Sequence, residues 1–143
     1  MFEFVVGVGL RLPEGAGTLR PGMPERSAQW AVATLADVRE TWVCGAGWTF
    51  TARYAGLTLT AVGDTRDRYG HQEDRPGLAD IGLTRDPYTL AGPSDCPVVL
   101  NGVDLFGHPA DEVLDALGGR PPGQVRLRPA ADGGYLAEVR MSA

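Results

Sequence analysis

The chain contains no lysine; all 13 of its basic residues are arginine. Isoleucine and asparagine occur once each, at Ile81 and Asn101. All three residue types have AT-rich codons, so the arginine usage reads as the mark of a GC-rich genome and not as a nucleic-acid footprint. Cysteine is scarce: Cys44 and Cys96 stand alone, and the two histidines are His71 and His108. Without Cys-x-x-Cys or His-x3-His spacing, the common zinc arrangements are excluded. No apolar run approaches the ~18–20 residues of a membrane-spanning helix. Met1-Phe2-Glu3-Phe4 lacks the basic start of a secretory signal, so the expected address is cytoplasmic.

What remains is an ordinary globular composition, 43% hydrophobic and 22% charged over 143 residues. A chain of this size forms a single domain (1–143) that buries roughly 68–70% of its unfolded surface without staples. The net charge of −5 is unevenly placed. Residues 1–71 hold seven acids and seven arginines, whereas residues 73–115 hold nine acids against Arg75 and Arg85, a balance of −7. From Arg120 onward, four arginines face Asp132 and Glu138. An acidic middle is a poor match for phosphate, so no nucleic-acid partner is expected. A basic protein partner fits better, because complementary charge speeds encounter; plain solubility is the competing explanation.

The clearest local structure spans Val98 to Gly119. Asn101-Gly102 between apolar runs is a strong hairpin signal, since a type I′ turn needs positive φ at both central residues. Pro109 suits a first helical position, Asp111 and Glu112 suit the positive end of a helix dipole, and Gly118 suits a left-handed stop. Val113, Leu114 and Leu117 are expected on one buried face. Elsewhere, Phe2 to Leu12 alternates with period two and reads as one half-buried strand, bent or bulged at Gly7 and Gly9. Gly7-Val8-Gly9 lacks the third glycine and following helix of a dinucleotide site. Pro13 to Gly22 reads as loop. A helix opens near Pro24-Glu25 and ends between Ala36 and Glu40, its stripe carried by Ala31, Leu35 and Val38.

Trp48–Ala52 and Leu57–Val62 alternate as a hairpin with a threonine face toward solvent. A short strand is expected over Leu78–Leu83 and a further extended piece at Tyr88–Leu90. A final hairpin joins Val125 and Leu127 to Tyr135, Ala137 and Val139. The fold class is therefore α+β: an antiparallel sheet of about six to eight strands with two helices on one side. Residues 1–62 and 78–143, linked by 63–77, read as two copies of a helix-plus-hairpin unit or as a single unrepeated domain.

A Gly-x-Pro entry into a short helix occurs twice, at Gly22-Met23-Pro24 and Gly107-His108-Pro109, each followed by an antiparallel hairpin. This order resembles the tandem helix-plus-hairpin architecture of the β-lactamase inhibitor protein and BamE-like domains. The segment Leu105–Leu114 is similar to small uncharacterised proteins of GC-rich bacteria. The resemblance implies a binding protein and not an enzyme. The inhibitor's four cysteines and the lipidated cysteine of the BamE-type proteins are missing, so neither inhibition of a β-lactamase nor membrane attachment carries over.

The densest polar cluster is the fifteen-residue stretch Gly63–Gly77, longer than the usual connection of about 4–6 residues. Asp64, Asp67, Tyr69, His71, Glu73 and Asp74 are the expected partner-binding residues, with Tyr69 as aromatic anchor. Calcium-loop spacing and His-Glu-x-x-His are absent, so no metal ligand, catalytic residue or cofactor is assigned. Ser27 and Ser94 lack a nucleophile elbow. Cys44 and Cys96 are expected as buried small hydrophobes, or as a disulfide if the protein is exported; Cys96 with His108 is the less favoured nucleophilic pairing. Trp30, Trp42 and Trp48 are expected in the core or on a sheet face, and exposed tryptophans would instead mark an interface. The leading function is a non-catalytic protein-binding module of the bacterial cytosol, with immunity or antitoxin activity as its concrete form. The alternative is a small metal-dependent or ligand-binding enzyme using residues 63–77.

Overall fold

Phe2–Val5 (β1) and Gly9–Arg11 (β2) are two strands, where the alternation alone suggested one. Gly7 takes φ 80° and Gly9 φ 141°, and the Val8 N–H donates to the Val5 carbonyl at 3.0 Å. The chain therefore turns back on itself, and Val6 and Val8 emerge 45% and 37% exposed while Phe2, Phe4 and Leu10 stay buried. A Cβ on Gly9 would lie 2.0 Å from the Leu19 carbonyl oxygen, so only glycine admits the next strand, Thr18–Leu19 (β3). That strand, and a 3₁₀ turn at Pro13–Gly15, occupy the stretch expected to be loop.

This computed structural model describes residues 1–41, 47–63 and 77–142. After β3 come helix α1 (Glu25–Ala33) and strands β4 (Val38–Thr41), β5 (Trp48–Tyr54), β6 (Leu57–Gly63) and β7 (Leu78–Arg85). Strands β8 (Val98–Leu100) and β9 (Val103–Asp104), helix α2 (Ala110–Ala116), and strands β10 (Val125–Pro129) and β11 (Leu136–Ser142) complete the chain. Helix α1 stops earlier than its stripe suggested, because Val38 belongs to a strand. Pro87–Thr89 forms a 3₁₀ turn in place of the expected extended piece. The type I′ prediction holds: Asn101 and Gly102 have φ 51° and 78°. Pro109 sits one position outside α2, with ψ 148°, and Gly118 is left-handed as expected. Among the described residues no helix is long and apolar enough to cross a membrane.

The strands do not form one sheet of six to eight. They form a five-stranded sheet, β3-β2-β1-β8-β9, and a six-stranded antiparallel sheet, β10-β11-β7-β6-β5-β4. The division arises because β1 pairs in parallel with β8, placing Phe2 opposite Val98 and Phe4 opposite Leu100. The hairpin Val98–Asp104 is thereby taken into the N-terminal sheet. One core unites the two sheets, and the Phe2 ring meets Tyr54 of β5 edge-on with centroids 5.8 Å apart. Twelve of its large side chains, among them Phe50, Phe106 and Leu83, are almost wholly buried, each contributing on the order of 1.5–3 kcal/mol.

Each helix carries the chain from the smaller sheet to the larger: α1 joins β3 to β4, and α2 joins β9 to β10. The halves thus contain similar elements in similar order. Their hands differ, however. β2 lies on the far side of β1 from β8, and β9 on the far side of β8 from β1. Since β1 and β8 are parallel with buried residues in register, no rotation that keeps both buried faces maps one hairpin onto the other.

Candidate functional site

Asp64, Asp67, Tyr69, His71, Glu73 and Asp74 lie outside the described residues, as do Trp42 and Cys44. The residues that bracket 64–76 are placed. Gly63 ends β6 opposite Trp48 and accepts from the Gly47 N–H at 3.1 Å. Gly77 packs on Gly22, where a Cβ would lie 2.5 Å from the Gly22 oxygen. Leu78 and Gly22–Met23 then exchange backbone hydrogen bonds of 2.8 and 2.9 Å. The chain therefore re-enters the described fold immediately before α1.

Helix α1 turns Ala28 and Val32, spaced i and i+4, into the core. Trp30 lies two residues from each, on the opposite face, and is 70% exposed. Its i±3 and i±4 neighbours are Arg26, Ser27, Ala33 and Thr34, a polar and small set that the sequence offered as the signal for an outward tryptophan. The expectation that Trp30 belongs to the core is thus corrected. Trp48, 8% exposed and stacked on Phe50 at 5.8 Å, does belong there.

Beside Trp30 runs β4, the edge of the larger sheet. Glu40 pairs with Phe50 in register, so it shares the core-side face yet lies beyond the core's rim. The Gln29 amide nitrogen donates to Glu25 Oε1 and Glu40 Oε1, both at 3.1 Å, tying the helix to the strand. Glu25, Arg26, Gln29, Trp30 and Glu40 line an open cleft of about 250 Å³. The exposed indole shares this cleft with two carboxylates and one guanidinium, an acidic balance that suits a cationic side chain.

A second aromatic, Tyr88, is 94% exposed on the 3₁₀ turn. Asp86 caps that turn by accepting from the Tyr88 N–H at 3.1 Å, and its other oxygen meets Arg53 at 3.3 Å. Arg85, 2% exposed, donates from Nη2 to the carbonyls of Thr89 and Gly92. Its guanidinium carbon lies 5.8 Å from the ring centroids of both Phe106 and Tyr135. Burial pushes its pKa down, opposed by Tyr135 and Asp95. Among the described residues, Nε and Nη1 have no hydrogen-bond partner. Arg85 continues the inward alternation of Ile81 and Leu83, which the expected strand ending at Leu83 left out.

No family model matches the chain, and no curated protein or solved structure matches it.

The remaining chemistry is sparse. Cys96 is a free thiol, 6% exposed, whose pKa burial pushes up. Its hydrogen bonds are local, to Ser94 and the Pro97 carbonyl, while His108 is exposed. A buried thiol with a raised pKa holds little thiolate at neutral pH. On the outer face of the larger sheet, Arg140 lies 3.7 Å from Asp80 and 3.5 Å from Glu138. Glu138 also accepts from Thr84 at 3.2 Å and Arg128 at 3.3 Å. Burial raises the Asp80 pKa against the opposing pull of Arg140 and Arg126. A wider concavity of about 590 Å³ includes Asp37, Arg39, Thr51, Arg53 and Thr58, but its arginines outnumber its one carboxylate, and Arg53 is already paired with Asp86. Among the described residues no group of three or more His, Cys, Asp or Glu is placed to hold a metal ion.

Proposed function

We propose that the chain is a non-catalytic protein-binding module of the bacterial cytosol, with neutralisation of a basic effector, as an immunity protein or antitoxin does, as its concrete form. The exposure of Trp30 carries this reading. A tryptophan 70% open to solvent forgoes much of the ~1.5–3 kcal/mol available from burying a large apolar side chain, and tryptophan is enriched among the residues that dominate binding energy. Its cleft neighbours Glu25 and Glu40 outweigh Arg26 and leave charge opposite to a basic partner's, and the formal net charge of −5 gives the long-range attraction the same sign. The acidic residues Asp64, Asp67, Glu73 and Asp74, with Tyr69 and His71, belong to the same reading, since Gly77 returns the chain to the start of α1. Affinity capture from a native lysate of the source organism tests it. A stoichiometric partner retained by the wild type and lost by Trp30→Ala supports the proposal; repeated recovery of no such partner refutes it.

A further inference from the structure

Among the described residues the two sheets are open and have four edges, and an edge exposes unpaired backbone groups that can recruit another strand. Here β3 and β9 are two residues long, too short to template pairing. β10 ends in Pro129, carries Arg126 and Arg128, and loses register against β11 between Arg128 and Pro129. Proline, charge and a bulge are the usual means of blunting an edge. β4 has neither proline nor bulge, and its two charges, Arg39 and Glu40, are of opposite sign and on opposite faces: Val38, Arg39, Glu40 and Thr41 pair with Ala52, Thr51, Phe50 and Thr49 without a shift. Arg39, Glu40 and Thr41 are exposed.

We infer that β4 accepts an extended basic segment of a partner protein as a further strand, with one arginine or lysine side chain over Trp30 and against Glu40. This rests on the reading of the chain as a protein-binding module and names the site and the partner's chemistry. Main-chain hydrogen bonds to an edge give affinity without sequence preference, so selectivity falls to the side chains that flank it. The alternation of a strand sends every second side chain of the incoming segment to one face. On the α1 side that face meets Glu40 and the Trp30 ring. Gln29 fixes the Glu40 carboxylate at 3.1 Å, so the anion is positioned before the partner arrives. A guanidinium stacked on an exposed indole and paired with a carboxylate combines cation–π and charge-assisted contacts.

The test uses three short labelled peptides that alternate valine with arginine, threonine or glutamate, titrated into the full chain by fluorescence anisotropy. The arginine peptide is expected to bind most tightly. Trp30→Ala and Glu40→Arg should each weaken it by about tenfold or more, the scale of a lost hot spot. The double variant Asp111→Asn/Glu112→Gln, on the exposed first turn of α2, should leave it unchanged, and circular dichroism checks that all variants fold. Equal weakening by the α2 variant would show diffuse attraction to an acidic protein and overturn the inference. Equal binding of the threonine or glutamate peptide, with the same dependence on Trp30, would overturn the basic partner while leaving the binding module standing. Failure of all three peptides would overturn the inference, and the lysate capture would judge the module separately.

Discussion

Helices α1 and α2 do the same topological work and leave different surfaces. Each leaves the five-stranded sheet and delivers the chain to one outer strand of the six-stranded sheet, α1 to β4 and α2 to β10. Each is anchored by one small and one branched residue, Ala28 and Val32 in α1, Ala110 and Val113 in α2. At the β10 end of the larger sheet, to which α2 leads, the outer surface is settled. Arg128 and Arg140 are paired with Glu138 and Asp80, and the β10 edge is closed by Pro129 and a bulge. Around α1 a tryptophan faces solvent, a carboxylate is held beside it, and the β4 edge pairs regularly to its last residue. Folding requires the anchors on both sides, and it does not require Trp30 to face outward. The difference therefore locates the surface whose composition folding does not explain.

The largest effect that sharpens this contrast is in the core beneath β4. Phe50→Ala, at a fully buried ring opposite Glu40, should cost about 3–5 kcal/mol in urea unfolding, against about 1–3 kcal/mol for Val125→Ala at the buried start of β10 itself. Equal costs would mean the two edges are rooted alike. Next, Val32→Ala and Val113→Ala should each cost about 1–3 kcal/mol, from lost burial plus a residual cavity. A near-zero cost at Val32 would show that α1 is not anchored as described. Trp30→Ala should change stability by no more than about 0.5 kcal/mol, as exposed substitutions do; a larger loss would reassign Trp30 to the fold and remove the contrast. The smallest effect concerns Asp80 on the settled side. Its raised pKa means that the folded state takes up a proton before the unfolded state does. The wild type thus carries a penalty above the folded pKa that is relieved as pH falls through it. Asp80→Asn should be at least as stable as wild type at neutral pH, with the gap closing toward acid; a gap that widens toward acid would reverse the assignment.

Turn chemistry and helix entry were legible because they are local. Asn101-Gly102, Gly118, and the start of α1 at Glu25 follow from φ preferences and from where proline is tolerated. The partition into two sheets was not legible, since alternation fixes which face a strand buries and leaves its partner open. Phe2 and Phe4 face inward in either arrangement, and only the parallel pairing with Val98 and Leu100, far along the chain, makes a second sheet. The N-terminal hairpin was missed for a related reason: Phe2, Phe4 and Leu10 keep even spacing through a turn whose middle, Val6 to Val8, looks equally apolar. At the candidate site, the outward Trp30 was readable from its polar i±3 and i±4 neighbours once Ala28 and Val32 define the inner stripe. Its position beside a sheet edge was not, because β4 becomes an edge only through the strand order.

Amide-resolved NMR titration with the alternating arginine–valine peptide tests the central claim most directly. The account predicts that backbone shifts concentrate on residues 25–41, including Trp30, Arg39 and Glu40, with β10 silent. Shifts centred on Val125–Pro129, or spread evenly over the acidic surface with β4 unmoved, would contradict it.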